Sequence, residues 1–242
     1  MTKLSVNINK IALLRNARGR NYPDVCQFAA RCLELGADGI TLHPRPDQRH
    51  ARYSDVSELA SVTARYGKEL NVEGYPTEEF LAVVHAVKPA QCTLVPDSPD
   101  QLTSDHGWRI GRDADLLAPV IRDLHQHGIR VSLFVDADCQ EMALAKSLGA
   151  DRVELYTEPY ALHAHSADAT AVLASFADAA ARARAAGLGV NAGHDLNLDN
   201  LAQFLTVPGI LEVSIGHALV AESIELGIAE VIARYTAIVA RG

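Results

Sequence analysis

No excess of positive charge, no paired cysteines, no apolar run of membrane length and no glycine-rich dinucleotide loop occur in these 242 residues. Lys and Arg number 22 against 30 Asp and Glu, a net charge of −8, so no nucleic-acid surface is implied. The four cysteines (Cys26, Cys32, Cys92, Cys139) contain no Cys-x-x-Cys pair. Cys26 and Cys32 fall in a helical pattern and Cys92 in a strand, which reads as buried, reduced thiols. With neither a membrane-length apolar run nor a signal-peptide pattern, the expected compartment is the cytoplasm, with no membrane partner. The missing Gly-x-Gly-x-x-Gly after the first strand counts against a dinucleotide-binding sheet.

What is present points elsewhere. With 48% hydrophobic residues the chain buries a sizeable core. Residues 1–65 hold ten Lys/Arg and six Asp/Glu, or +4, leaving −12 for the remainder, so anion binding belongs in the first quarter. Short apolar runs predict strands at Leu4–Asn9, Gly39–His43, Glu69–Glu73, Gln91–Pro96, Arg130–Asp136, Arg152–Thr157, Gly189–Gly193 and Glu212–His217. Helical patterns lie near 24–35, 54–66, 77–86, 113–127, 139–148, 167–186, 197–206 and 218–239. Gly36, Gly128, Gly149 and Gly187 stand where helices should stop. This alternation predicts an α/β fold, a (β/α)8 TIM barrel, with residues 1–242 as one catalytic domain.

Such a barrel assembles its site at the carboxyl ends of its strands. There the chain is unusually polar: Asn7, Asn9, His43, Glu73, Asp136, Glu154, Thr157, His194, Gly216 and His217. In His43-Pro-Arg-Pro-Asp-Gln-Arg-His50, Pro44 and Pro46 end the strand and hold two imidazoles and two guanidiniums in a rigid loop, a place for a phosphate and a proton. Asn7-Ile8-Asn9-Lys10 with Arg15 to Arg20 supplies a second anion-binding group. The glycine turns at Asn191–Asp195 and Ser214–His217, with a helix starting near Ala218, occupy the usual phosphate position. His43, Glu73 and His194 are the proton-transfer candidates. Lys10 is the one lysine read on a strand end, which weighs against a Schiff-base aldolase. The polar segment 97–112, with Thr103 in its middle, is a candidate lid.

Several of these stretches resemble one family. Asn7-Ile8-Asn9-Lys10-Ile11-Ala12 with Leu14 to Gly19, Gly36 to His43 with Arg49-His50, Val131 to Asp138, Asn191 to His194 and Ile215 to Ala218 look like pyridoxine 5′-phosphate synthases, over nearly the whole chain. The resemblance implies condensation of 1-deoxy-D-xylulose 5-phosphate with 3-amino-2-oxopropyl phosphate, without metal or cofactor, in a homo-oligomer (an octamer in the family). It implies His43 and Glu73 as bases, His194 as acid and Glu154 as a stabiliser of charge. It assigns Asn7, Arg18, Asp195, Gly216 and His217 to the aminoketone phosphate, and Asn9, Lys10, Arg45, His50 and Thr103 to the deoxyxylulose phosphate. The family more commonly has Asp-His at Asn9-Lys10 and Gly at Asp195. Two other readings remain. One is a divalent-metal aldolase or isomerase of a sugar phosphate, with His43, Glu73, Asp136, Glu154 and His194 as ligands; the other is a non-enzymatic phosphometabolite-binding barrel.

Overall fold

The structure, a computed structural model, describes residues 1–97, 101 and 103–242. Eight parallel strands close into a barrel in chain order, β1 pairing with both β2 and β8. They are β1 (Lys3–Asn7), β2 (Gly39–Leu42), β3 (Glu69–Gly74), β4 (Gln91–Leu94), β5 (Arg130–Val135), β6 (Arg152–Tyr156), β7 (Gly189–Gly193) and β8 (Ile210–Ile215). Around them run α1 (Asn9–Asn16), α2 (Val25–Glu34), α3 (Tyr53–Tyr66), α4 (Glu78–Val87), α5 (Ile110–Gln126) and α6 (Met142–Leu148). The ring is completed by α7 (Glu158–His163), α8 (Ala169–Ala185), α9 (Leu201–Phe204), α10 (His217–Leu226) and α11 (Ile228–Val239). The expected barrel is therefore present, and Gly36, Gly128, Gly149 and Gly187 all take positive φ at helix ends.

Four expectations are corrected. The first strand stops at Asn7, not Asn9, and Asn9 and Lys10 open a helix instead. That helix, α1, runs through residues read as a loop, because Ile11, Ala12 and Arg15 recur on one buried face. The last helical pattern divides at Gly227, where φ is +81°, into α10 and α11. Of the thiols, Cys32 and Cys92 are buried but Cys26 and Cys139 are only partly so.

The strands divide their residues by period two. Leu4 and Val6, Ile40 and Leu42, Leu70 and Val72, Val131 and Leu133, Val153 and Leu155 are aliphatic and buried. The residues alternating with them are mostly polar, and hydrogen bonds crossing from strand to strand show that these share the barrel interior. Ser5 Oγ meets Thr41 Oγ1 at 2.7 Å, Asn71 Nδ2 donates to Thr41 Oγ1 at 3.4 Å, and Thr93 Oγ1 donates to Asn71 Oδ1 at 2.9 Å. Asn191 Nδ2 donates to Gln91 Oε1 at 3.4 Å. The aliphatic core thus lies between strands and helices, whereas barrels of this class commonly fill their centre with branched aliphatics. At the strand starts the interior is charged but paired: Lys3 and Arg130 both reach Glu69, and Arg152 lies 3.8 Å from Glu212.

Candidate active site

At the strand ends the two asparagines tie neighbouring strands together. Asn9 N–H donates to Asn7 Oδ1 at 3.0 Å, and His43 N–H donates to Asn9 Oδ1 at 2.9 Å. β2 stops just before Pro44, so the buried His43 side chain sits at the barrel mouth, edge-on to His50 with ring centroids 6.3 Å apart. Burial, then the charges of Arg45 and His50, hold His43 well below the usual imidazole range. His50 is pushed down to about 4, by burial and then by Arg45, Arg49 and Lys10. The Ala51 N–H donates to His50 Nδ1 at 2.9 Å, which places any ring proton on Nε2.

Arg45 is buried and already committed: it pairs with Asp97 and donates to the Gln101 carbonyl at 3.0 Å. Ser104 Oγ also donates to Asp97, at 2.6 Å. Of the expected lid, residues 98–100 and 102 lie outside the described residues. Thr103 is exposed, but the chain after it is anchored. Gly107 N–H donates to Asp136 Oδ1 at 3.1 Å and Trp108 Nε1 to the Leu94 carbonyl at 2.8 Å. Arg15 is corrected as an anion ligand. It is 2% exposed and its guanidinium is saturated by both oxygens of Asp55, at 2.6 and 2.9 Å, and by the His50 carbonyl at 3.2 Å. Its work is to bind α1 to α3 beneath the His50 loop.

Glu73 and Glu154 are both buried in the interior, and among the described residues neither forms an ion pair. Asn7 Nδ2 approaches Glu73 Oε2 at 3.5 Å. Burial, then the charges of Asp97 and Glu212, raises Glu73 to about 8, with Arg45 opposing. Burial and the charge of Glu73 raise Glu154 well above the carboxylate range. Gly193 makes room for it: a Cβ there would stand 2.3 Å from Glu154 Oε1.

His194 follows directly, at φ +83°, and Asp195 at φ +58°, two consecutive non-glycine residues in left-handed conformations. Thr157 Oγ1 donates to the Gly193 carbonyl at 2.7 Å and bonds that of His194, holding the turn. The His194 ring packs on Phe134 (5.0 Å) and Tyr156 (5.4 Å). Burial lowers its pKa, while Asp195 and Asp97 pull in the opposite direction. Gly216 caps α10 within a tight approach to Asn7, where a Cβ would meet Asn7 Cβ at 3.0 Å, and His217 is the exposed first residue of that helix. Arg18 and Lys10 are exposed on and just after α1.

The structure therefore brings Asn7, Asn9, His43, His50, Glu73, Glu154, His194 and Gly216 to the strand ends, with Lys10 acting electrostatically on His50. Among the described residues, the five named for a divalent-metal enzyme do not form a converging set of ligand atoms. Sequence reasoning missed Asp97 as the partner of Arg45, and the aromatic pair Phe134 and Tyr156 around His194. Their signal was the same alternation that placed Glu154 inside: both aromatics occupy interior positions of their strands.

Comparisons with known proteins show the family and the fold. The profile of a family described as pyridoxal phosphate biosynthesis protein PdxJ matches residues 4–241. A pyridoxine 5′-phosphate synthase of Xanthomonas campestris pv. campestris is 54% identical over 249 residues, covering 100% of this chain and 97% of that protein. One from Porphyromonas gingivalis is 50% identical, covering 97% and 98% respectively. Among solved structures, a thiamine phosphate pyrophosphorylase from Pyrococcus furiosus superposes with a TM-score of 0.65 at 16% identity, covering 99% of this chain and 96% of that one. A phosphoribosyl anthranilate isomerase from Thermus thermophilus gives 0.59 at 12%, covering 98% and 100%. At those identities the likeness is one of fold.

Proposed function

The chain belongs to the PdxJ family of pyridoxal phosphate biosynthesis proteins, and from that premise we infer that it is a pyridoxine 5′-phosphate synthase of vitamin B6 biosynthesis. The observation that carries the chemistry is one cluster in which two carboxyls are pushed up and two imidazoles down. Condensing 1-deoxy-D-xylulose 5-phosphate with 3-amino-2-oxopropyl phosphate needs repeated proton transfers between fixed groups, with both phosphates anchored.

We propose the following division of labour. His43, neutral at pH 7, is a base from the outset, since no proton has to leave it first. Glu73, raised to about 8, exchanges a proton near neutral pH and serves as the second base. Glu154 stays protonated and donates a hydrogen bond to oxygen that becomes negative in the transition state. His194 is the acid. Arriving phosphates add negative charge beside Asp195 and Asp97, which already pull its pKa up, so its protonation accompanies substrate binding. The aminoketone phosphate is assigned to Asn7, Arg18, Asp195, Gly216, His217 and the start of α10, and the deoxyxylulose phosphate to Asn9, Lys10, Arg45, His50 and Thr103.

We further propose that the enzyme works in the cytoplasm as a homo-oligomer. Leu13 and Leu14 on α1 and Ile224 and Leu226 on α10, two helices that pack together, give it an exposed apolar face for self-association. Incubating purified protein with the two phosphates and measuring pyridoxine 5′-phosphate and released inorganic phosphate tests the central reading. Absence of both products at saturating substrate overturns it.

A further inference from the structure

On the outside of the barrel, far from the strand ends, His85 near the end of α4 meets Asp123 and His127 at the end of α5. The imidazoles stack with centroids 4.1 Å apart and planes 15° apart. His85 Nε2 lies 2.6 Å from Asp123 Oδ2, and His127 Nδ1 lies 3.8 Å from Asp123 Oδ1. One ligand atom from each residue falls within 4.8 Å of one from each of the others, and among the described residues this is the one such group. His85 Nε2 is buried and has no hydrogen-bond partner, despite its 2.6 Å approach to the carboxylate. These donors lie close enough to share one ion, with His85 Nε2 and Asp123 Oδ2 moving apart to ligand spacing on binding. His127 Nδ1 donates to the Asp123 carbonyl at 2.9 Å, which orients the ring, so its ligand atom is the other nitrogen, Nε2, and not the Nδ1 that lies near Oδ1.

We propose that His85, Asp123 and His127 form a binding site for a borderline divalent transition-metal ion of the Zn²⁺ class. Two neutral imidazoles and one carboxylate, with a fourth position open to water, suit Zn²⁺, Co²⁺, Ni²⁺ or Cu²⁺ and not the all-oxygen shells that Mg²⁺ and Ca²⁺ prefer. The ligands sit at the carboxyl ends of helices, hence at the amino-terminal end of the barrel, opposite the catalytic groups. α4 packs mainly on α3 and α5 on α6, so an ion here clasps the seam between two helix pairs and takes no part in turnover.

Equilibrium dialysis of the intact protein against ZnCl2, followed by elemental analysis, tests this. One retained equivalent per chain is expected, with Zn²⁺ raising the melting temperature and Mg²⁺ having no effect. His85→Ala and His127→Ala should each weaken binding more than about tenfold, abolish the Zn²⁺-dependent rise in melting temperature and leave metal-free turnover unchanged. Should either alanine variant fail to fold, His85→Gln or His127→Gln, checked by circular dichroism, gives the same readout. His43→Ala and His194→Ala should keep the bound equivalent. Retention in both His85 and His127 variants, loss in His43→Ala, or no binding by wild type overturns the assignment.

Discussion

Glu69 and Glu73 stand four residues apart on β3 and live in opposite electrostatic worlds. Glu69, at the strand start, is pushed up by partial burial, yet hydrogen bonds from Arg130 and Lys3 more than reverse this and leave it below the carboxylate range. Glu73, at the strand end, has burial and the charges of Asp97 and Glu212 acting in one direction, with Arg45 alone opposing because its guanidinium belongs to Asp97. Across β6 and β8 the contrast is weaker: Arg152 approaches Glu212, yet burial still raises Glu212, and among the described residues Glu154 pairs with no cation. One end spends its charges on one another and gains stability; the other leaves them unsatisfied, where a substrate can use them.

The largest effect expected from this contrast is on turnover. Glu73→Gln and His194→Ala should each lower kcat by roughly 10²–10⁴ with phosphate affinity nearly intact. Glu69→Gln, on the same strand, should leave kcat close to wild type. Steady-state kinetics of the three variants decides it, and a loss in Glu69→Gln equal to that in Glu73→Gln would erase the distinction between the ends.

A second difference should appear in the pH dependence of stability. A carboxyl raised in the folded state binds its proton more tightly than when unfolded. Stability from Glu73 is therefore greatest below the ordinary value of 4.5 and falls as pH climbs to about 8. Replacing Glu73 by Gln should remove that loss, stabilising the protein at pH 8 by on the order of a few kcal/mol while doing little at pH 4. The lowered imidazoles act on the acid side. His43, His50 and His194 bind protons less readily when folded, so stability drops as pH falls below 6.5, for His50 until about 4. Urea titrations of wild type and Glu73→Gln between pH 4 and 8 measure both slopes. A Glu73→Gln difference that does not grow with pH would mean Glu73 is ionised and paired.

Smaller again is the structural cost at the paired end. Glu69→Gln leaves Arg130 and Lys3 without their counter-ion, but the carboxylate is one-third exposed, so solvent compensates. A loss of about 1–2 kcal/mol in urea unfolding is expected. No loss would show that the ring of charges at the strand starts is ornamental.

The fold was legible because it is written in two periods, alternating strands and helices with glycine stops, and neither requires knowing any contact. The placement of His43, Glu73, Glu154 and His194 was legible for the same reason: each follows from where a strand ends or which face it presents. The partners were not. Nothing in the spacing of Arg15 announces that Asp55, forty residues on, saturates it, nor that Asp97 removes Arg45 from solution. Both pairings come from loops and helices meeting over a closed barrel. Asn9 and Lys10 were misread because Asn7, Asn9 and the apolar Ile8 imitate a strand, while the first turn of α1 was recognisable only through Ile11, Ala12 and Arg15.

The helical position of Lys10 carries the smallest expected effect. On a strand, Lys10 would have pointed away from Asn9; in the first turn of α1 it is exposed, and its charge lowers His50. We propose that it meets the deoxyxylulose phosphate together with His50. A lysine stays charged across neutral pH, whereas a second imidazole beside His50, Arg45 and Arg49 would be driven neutral by the same charges that lower His50. Lys10→Ala should therefore weaken that substrate's binding about tenfold, or roughly 1.4 kcal/mol, the lower range for a charge-assisted hydrogen bond. Lys10→His should recover little at either pH, since those charges keep the imidazole neutral. Calorimetric titration of deoxyxylulose phosphate into the three proteins at both pH values measures it. If wild type and Lys10→Ala bind equally at pH 6 and pH 8, Lys10 is a solvated surface residue, and the phosphate rests on the barrel mouth alone.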